Sequence, residues 1–129
     1  ITGNPDWKEK AQKLIEARGS IVSAAPIAVS TLVRLGSMTD RSYTLVVAGP
    51  PDSPATRELA STARSLTGPD IMVVVADQAD AAVDWMELEG RRGLAKPQLL
   101  ICREGVCLLP AFTREEAVER LKLAGLVSD

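Results

Sequence analysis

The sequence predicts an α/β domain built on a four-stranded mixed sheet and preceded by an αα-hairpin. Three features of its 129 residues carry that expectation. Two β-branched apolar runs, Tyr43 to Ala48 and Ile71 to Ala76, are separated by one helix-length segment, as parallel strands joined by a helical crossover require. Two more apolar runs flank Glu104-Gly105, a turn signal between antiparallel strands. Before Tyr43 the apolar residues recur at helical rather than strand spacing.

Residues 1–38 form the expected αα-hairpin and residues 39–129 the α/β domain. Asp6 caps the first helix, Trp7, Ala11, Leu14 and Ile15 form its apolar face, and Gly19 stops it. The second helix starts near Pro26, a residue tolerated in a first turn but not deeper. It runs through Ile27, Val29, Leu32, Val33 and Leu35 to Gly36, with Arg34 its only charge. A helix apolar on nearly all sides expects burial on nearly all sides. Two helices alone cannot supply that burial.

The strand at Tyr43 to Ala48 is closed by Gly49, Pro50 and Pro51. Ser53 followed by Pro54 is a capped helix start. Leu59, Ala63 and Leu66 mark the buried face of that helix, and Gly68 and Pro69 end it. After the second strand, a helix is expected from about Ala79 to Leu88, with Ala79, Ala82, Val83 and Met86 inward and Asp77 or Asp80 as its cap. Gly90 to Lys96 is a basic, glycine-containing loop. Gln98 to Cys102 and Val106 to Leu109 form the hairpin. The last helix opens on a capping box, Thr113 with Glu116, and carries Ala117, Val118, Leu121 and Leu123. This order, β-α-β-α-β-β-α, is that of the thioredoxin core, and Pro97 stands where such folds place a cis-proline.

Composition removes whole classes of function. The chain has no histidine, which excludes Ser-His-Asp and Cys-His catalysis and any imidazole metal site. Two cysteines are too few for a four-thiolate zinc site. The net charge is −2, and Arg91-Arg92 is the only adjacent basic pair, so nucleic acid is not an expected partner. The uncharged stretch from Gly19 to Val33 falls short of the ~20 apolar residues of a membrane span. No secretory leader opens the chain, which points to a cytoplasmic protein. Its first residue, Ile1, is not methionine, so it reads as a piece of a longer protein.

No residue combination defines a catalytic centre, and no metal or cofactor is expected. In a redox-active thioredoxin a Cys-x-x-Cys pair follows the first strand, where the helix start lowers the thiol pKa. Here that stretch, Gly49 to Pro54, holds no thiol. The two cysteines fall instead on the hairpin. A two-residue turn at Glu104-Gly105 sets Cys102 opposite Cys107 at a non-hydrogen-bonded position, with Cα atoms ~4.5 Å apart. Three readings stay open for them: reduced, buried small hydrophobes; a cross-strand disulfide, structural or labile; and, least supported, a metal ligand pair. The free N–H groups at Ser53, Ala55 and Thr56 offer an anion site, against the plainer reading of an ordinary helix cap. Asp77, Asp80, Asp84, Glu87 and Glu89 read as a solvated face rather than acid–base machinery. Gly90-Arg91-Arg92-Gly93 reads as a surface loop. Trp85 is either core or an anchor for a partner.

Cys102-x4-Cys107-x2-Pro110, Leu45-Val-Val-Ala-Gly-Pro-Pro-Asp-Ser-Pro-Ala-Thr-Arg57 and Val74-Val-Ala-Asp77 together resemble a known pattern. It is the C-terminal region of the spermatogenesis-associated, thioredoxin-domain-containing protein family. Those proteins join a thioredoxin-like domain, an α/α toroid and a small closing α/β module. Trp7-Lys-Glu-Lys-Ala-Gln-Lys-Leu14 and Ala25-Pro26 resemble the toroid's last helices. The chain departs from the family in Gln98-Leu-Leu-Ile-Cys102, where an aromatic is usual, and in a longer step from Pro110 to Thr113. The resemblance implies a non-catalytic, redox-inactive terminal domain that packs against the toroid of a larger protein. Its expected partners are the rest of that protein, or a second copy through the amino-terminal hairpin. Two rivals stand beside it: a thiol/disulfide redox element using Cys102 and Cys107, and a small-anion or nucleotide-binding domain.

Overall fold

The computed structural model describes residues 5–25, 27, 30–31, 42–66, 68, 70–80 and 85–128. The first helices are α1 (Pro5–Ala17) and α2 (Gly19–Ala24), and Ser30 and Thr31 are also helical. Then follow β1 (Tyr43–Ala48), α3 (Pro54–Arg64), β2 (Ile71–Val75), β3 (Gln98–Arg103), β4 (Val106–Cys107) and α4 (Arg114–Leu123). The strands form one mixed sheet in the order β2-β1-β3-β4. β1 runs parallel to β2 and antiparallel to β3, and β3 is antiparallel to β4.

Side chains alternate across a strand, so each strand feeds both faces of the sheet. Leu45 and Val47 of β1, with Leu99 and Ile101 of β3, meet Leu59, Ala60 and Ala63 of α3 and Ala117 and Leu121 of α4. The intervening residues Val46, Ala48, Leu100 and Cys102 form a second cluster on the opposite face, with Ala76 and Leu88. β1 is central and supplies both clusters, which is why its sequence is continuously apolar rather than alternating.

Local chemistry fixes the ends. Thr113 Oγ1 accepts from Glu116 N at 3.2 Å, and the Glu116 carboxylate accepts from Phe112 N at 2.7 Å, so the capping box forms with its return bond one residue early. At the other end of α4, Leu126 N donates to Leu121 O and Gly125 N to Lys122 O, both at 2.9 Å. Gly125 has φ +71°, so this is a Schellman stop. The hairpin turn requires positive φ at both central residues, and Glu104 (51°) and Gly105 (78°) adopt it. β4 ends at Cys107, two residues short of the expected Leu109, but Leu99 and Ala111 still exchange backbone bonds of 2.8 and 2.9 Å beyond it.

Three expectations need correction. Gly19 does not stop the helical region; it begins α2, with Arg18 as the single break between the two helices. The helix expected from Ala79 to Leu88 does not form at either described end. Ala79 (ψ 142°) and Trp85 (ψ 133°) are extended, and among the described residues of this stretch only short 3-10 turns occur, at Ala76–Gln78 and Met86–Leu88. Of its two expected caps, Asp77 is engaged elsewhere: its Oδ1 accepts from Gly93 N at 2.7 Å. Met86 is exposed rather than inward, whereas Leu88 is buried and Trp85 half-buried against the sheet. Packing of those two side chains overrides helix propensity. Ala82 and Val83 lie outside the described residues, as does the expected helix 26–36 except for Ile27, Ser30 and Thr31. The third correction concerns Pro97: no described peptide bond is cis, so the bond before it is trans. Trans is the favoured isomer of such a bond by about 0.5–1 kcal/mol, and Gly49, with no side chain, leaves room for the Pro97 backbone in that form.

Candidate functional site

The residues singled out in the sequence gather at opposite ends of β1. At its carboxyl end the chain turns at Gly49, whose φ of +133° only glycine adopts freely. A Cβ there would stand 2.7 Å from Pro97 Cα and 2.8 Å from Thr56 Oγ1. Gly49, Thr56 and Pro97 therefore meet, which the sequence marked one by one but did not bring together.

Ser53 is the N-cap of α3 by backbone geometry, but its side chain makes no cap bond. Arg57 N donates to Ser53 O at 3.1 Å, and Pro54 carries no N–H, so Ala55 and Thr56 hold the open amides of the first turn. The Thr56 hydroxyl does not join them. The residue is only 2% exposed, and its oxygen lies against Gly49 with no hydrogen-bond partner among the described residues. Of the proposed anion-binding trio, Thr56 thus turns its hydroxyl inward.

At the other end of β1, Thr44 pairs with Cys102, and Cys102 pairs with Cys107. The two sulfurs are bonded, and the Cα atoms are 3.9 Å apart. Cys102 is buried in the second core cluster and Cys107 is half-buried beside it, so any exchange reaction has its access at Cys107. Cα pairing places Cys102 against Thr44 and Gln98 against Ala48, four residues apart along β1. That is about 13 Å of strand. The disulfide therefore sits at the opposite end of β1 from Ala48, after which the chain leads to the start of α3, and the two places cannot act as one centre.

The covering segment on the disulfide's face is tied by polar bonds. Besides Asp77 to Gly93, Arg92 Nη2 donates to Asp80 O at 2.8 Å. Arg92 and Asp77 therefore brace this segment, which explains their place in the sequence better than an acid–base or phosphate site does. Among the described residues no group of three metal-ligating side chains occurs, and no helix is long and apolar enough to cross a membrane.

Sequence reading missed a groove of about 510 Å³ along the outer side of α3. Arg57, Ser61 and Arg64 line it from the helix, and Val75 and Gln78 from the end of β2. The available signal was spacing. Arg57 and Arg64 are seven apart, on one helix stripe, and no acidic residue stands three or four positions from either.

The geometry defines a mixed α/β domain carrying a hairpin disulfide. No protein-family model, curated protein or solved structure matches the chain.

Proposed function

We propose that this chain is a non-catalytic, thioredoxin-like domain whose amino-terminal helices pack against the rest of a larger protein, of the toroid-bearing kind that the sequence resembles. The observation that carries this reading is the apolar surface of α1 and α2. Trp7 is 61% exposed, Leu14 59% and Ile21 42%. No extensive contact joins either helix to the sheet among the described residues. Trp7 and Leu14, seven apart on α1, with Ile21 on α2, are exposed apolar side chains of a size that marks an interaction surface rather than a solvated face. The strand order β2-β1-β3-β4, the crossover through α3 and the placement of α3 and α4 on one face support the thioredoxin-like assignment. The absence of a thiol from Gly49 to Pro54 supports the non-catalytic one.

Sedimentation of the full chain tests the packing role. The wild type is expected to self-associate as concentration rises, with Trp7 fluorescence shifting to the blue. A Trp7→Asp/Leu14→Asp variant is expected to stay monomeric with its sheet intact. A wild type that remains monomeric, folded and with a solvated Trp7 at all concentrations sinks the reading.

The bonded, half-accessible Cys107 favours a second reading, a thiol/disulfide redox element. Two glutathione thiols would reduce the Cys102–Cys107 bond to two protein thiols, leaving glutathione disulfide. Disulfides that persist belong to oxidising compartments, whereas the cytoplasm keeps thiols reduced. Alkylation and mass spectrometry across a glutathione series separates the cases. A bond that never opens, or never closes, over the physiological range eliminates a redox role.

A further inference from the structure

We propose that the open edge of β2, together with the groove beside α3, docks an extended acidic peptide as an added strand. This goes beyond the packing role of α1 and α2 and rests on a different surface.

β2 lies at the end of the sheet. Its five residues, Ile71-Met-Val-Val-Val75, are all apolar, with no charge, proline or bulge to discourage pairing. Natural edge strands usually carry such a device. Its backbone is also available. Tyr43 pairs with Ile71, and Tyr43 N donates to Asp70 O at 2.7 Å. In a parallel ladder, residues alternate in which side they bond. Met72 and Val74 therefore serve β1, while Ile71, Val73 and Val75 turn outward. Ile71 N is taken by Gly68 O and Val75 O by Ala79 N. Among the described residues, both backbone groups of Val73, with Ile71 O and Val75 N, remain for a new strand.

The groove beside this edge selects the charge of the occupant. Arg57 and Arg64 make no ion pair among the described residues. Seven helical residues separate them by about 10.5 Å along α3. An extended peptide repeats one-sided side chains about every 6.7 Å. The arginine spacing falls between one and two such repeats, about 6.7 and 13.4 Å, and the long, flexible arginine side chains span the difference. Acidic residues on one face of the added strand can therefore reach both guanidinium groups, with Ser61 and Gln78 as hydrogen-bonding neighbours. Main-chain pairing supplies affinity and the flanking side chains supply selectivity in such complexes.

The same arginines disfavour a second copy. Antiparallel pairing of two β2 edges has its two-fold axis perpendicular to the sheet, so both α3 helices lie on one face. Each copy then brings Arg57 and Arg64 to the seam, and like charges oppose closure. An acidic strand gains from what a second copy loses.

The test uses the full chain and a synthetic peptide of alternating valine and glutamate, with amide shifts read by NMR. Expected are shifts at Ile71 to Val75 and along α3, with binding that weakens as salt rises. The double variant Arg57→Glu/Arg64→Glu should bind this peptide at least tenfold more weakly and instead accept a valine–lysine peptide. N-methylation of alternate amides in the valine–glutamate peptide should also cost at least tenfold. Equal binding of the lysine and glutamate peptides by the wild type overturns the charge argument. Indifference to N-methylation, or inorganic phosphate displacing the peptide with no shifts in β2, overturns strand addition. Dimerisation of the wild type through β2, seen as concentration-dependent protection of its outward amides, overturns the choice of occupant.

Discussion

The two faces of the sheet are covered in different ways. On one face, α3 and α4 lie over Leu45, Val47, Leu99 and Ile101, and regular helices bury that surface with their backbone bonds satisfied internally. On the other, Val46, Ala48, Leu100 and Cys102 meet Leu88 and Trp85 from a segment whose described residues form only short turns. An irregular cover must satisfy its backbone by other means. Here the Asp77–Gly93 and Arg92–Asp80 bonds and the Cys102–Cys107 bridge all lie on or beside that segment. The helical face holds itself by periodic packing; the other face needs individual ties.

Adjacent residues on β3 test this contrast most severely. Leu99 and Leu100 are both buried and face opposite ways. Replacing Leu99 with Ala should cost about 4 kcal/mol and replacing Leu100 about 2.5, because an irregular cover can collapse into the cavity more readily than two helices can. Urea denaturation measures both, and equal losses would abolish the distinction. Next in size is the double variant Cys102→Ala/Cys107→Ala. Opening a six-residue loop should cost about 2 kcal/mol by chain entropy. Amide exchange should quicken at Leu88 to Leu94 and hardly at all in α3 and α4; a uniform increase would mean the bridge serves both faces alike. Asp77→Ala should cost about 1 kcal/mol, the worth of one hydrogen bond, and should expose the Gly93 amide to exchange. An unchanged Gly93 protection factor would show that the tie is not needed. The smallest effect has the opposite sign. Thr56→Val removes a buried hydroxyl that has no partner among the described residues, and thermal melting should show a gain of about 0.5 kcal/mol. A loss would mean that the hydroxyl has a bond in solution.

Much of the helical face was legible in the sequence, because periodicity is a local signal. Leu59 and Ala63 at helical spacing, Ser53-Pro54 as a start, and Thr113 with Glu116 each require only near neighbours to act. The hairpin was legible for the same reason: a two-residue turn fixes the register that sets Cys102 against Cys107. The segment from Ala79 to Leu88 was not. Its alanines and acidic residues read as a helix, but Asp77 is bound sixteen residues away and Trp85 is held by the sheet. Gly125 was also passed over, although its position after α4 carried the signal of a stop.

What the sequence determined by itself is where short-range chemistry has one solution: the four strands, the start of α3, both ends of the hairpin turn and the lack of histidine or a thiol at Gly49 to Pro54. The tertiary structure decided the rest. It chose β2 as the edge strand, brought Arg57 and Arg64 beside it, set Thr56 against Gly49 and Pro97, and placed the disulfide about 13 Å along β1 from Ala48. Each of these depends on residues distant in sequence. No local pattern encodes such pairings, because their energy is realised only when both partners have been brought together by the sheet.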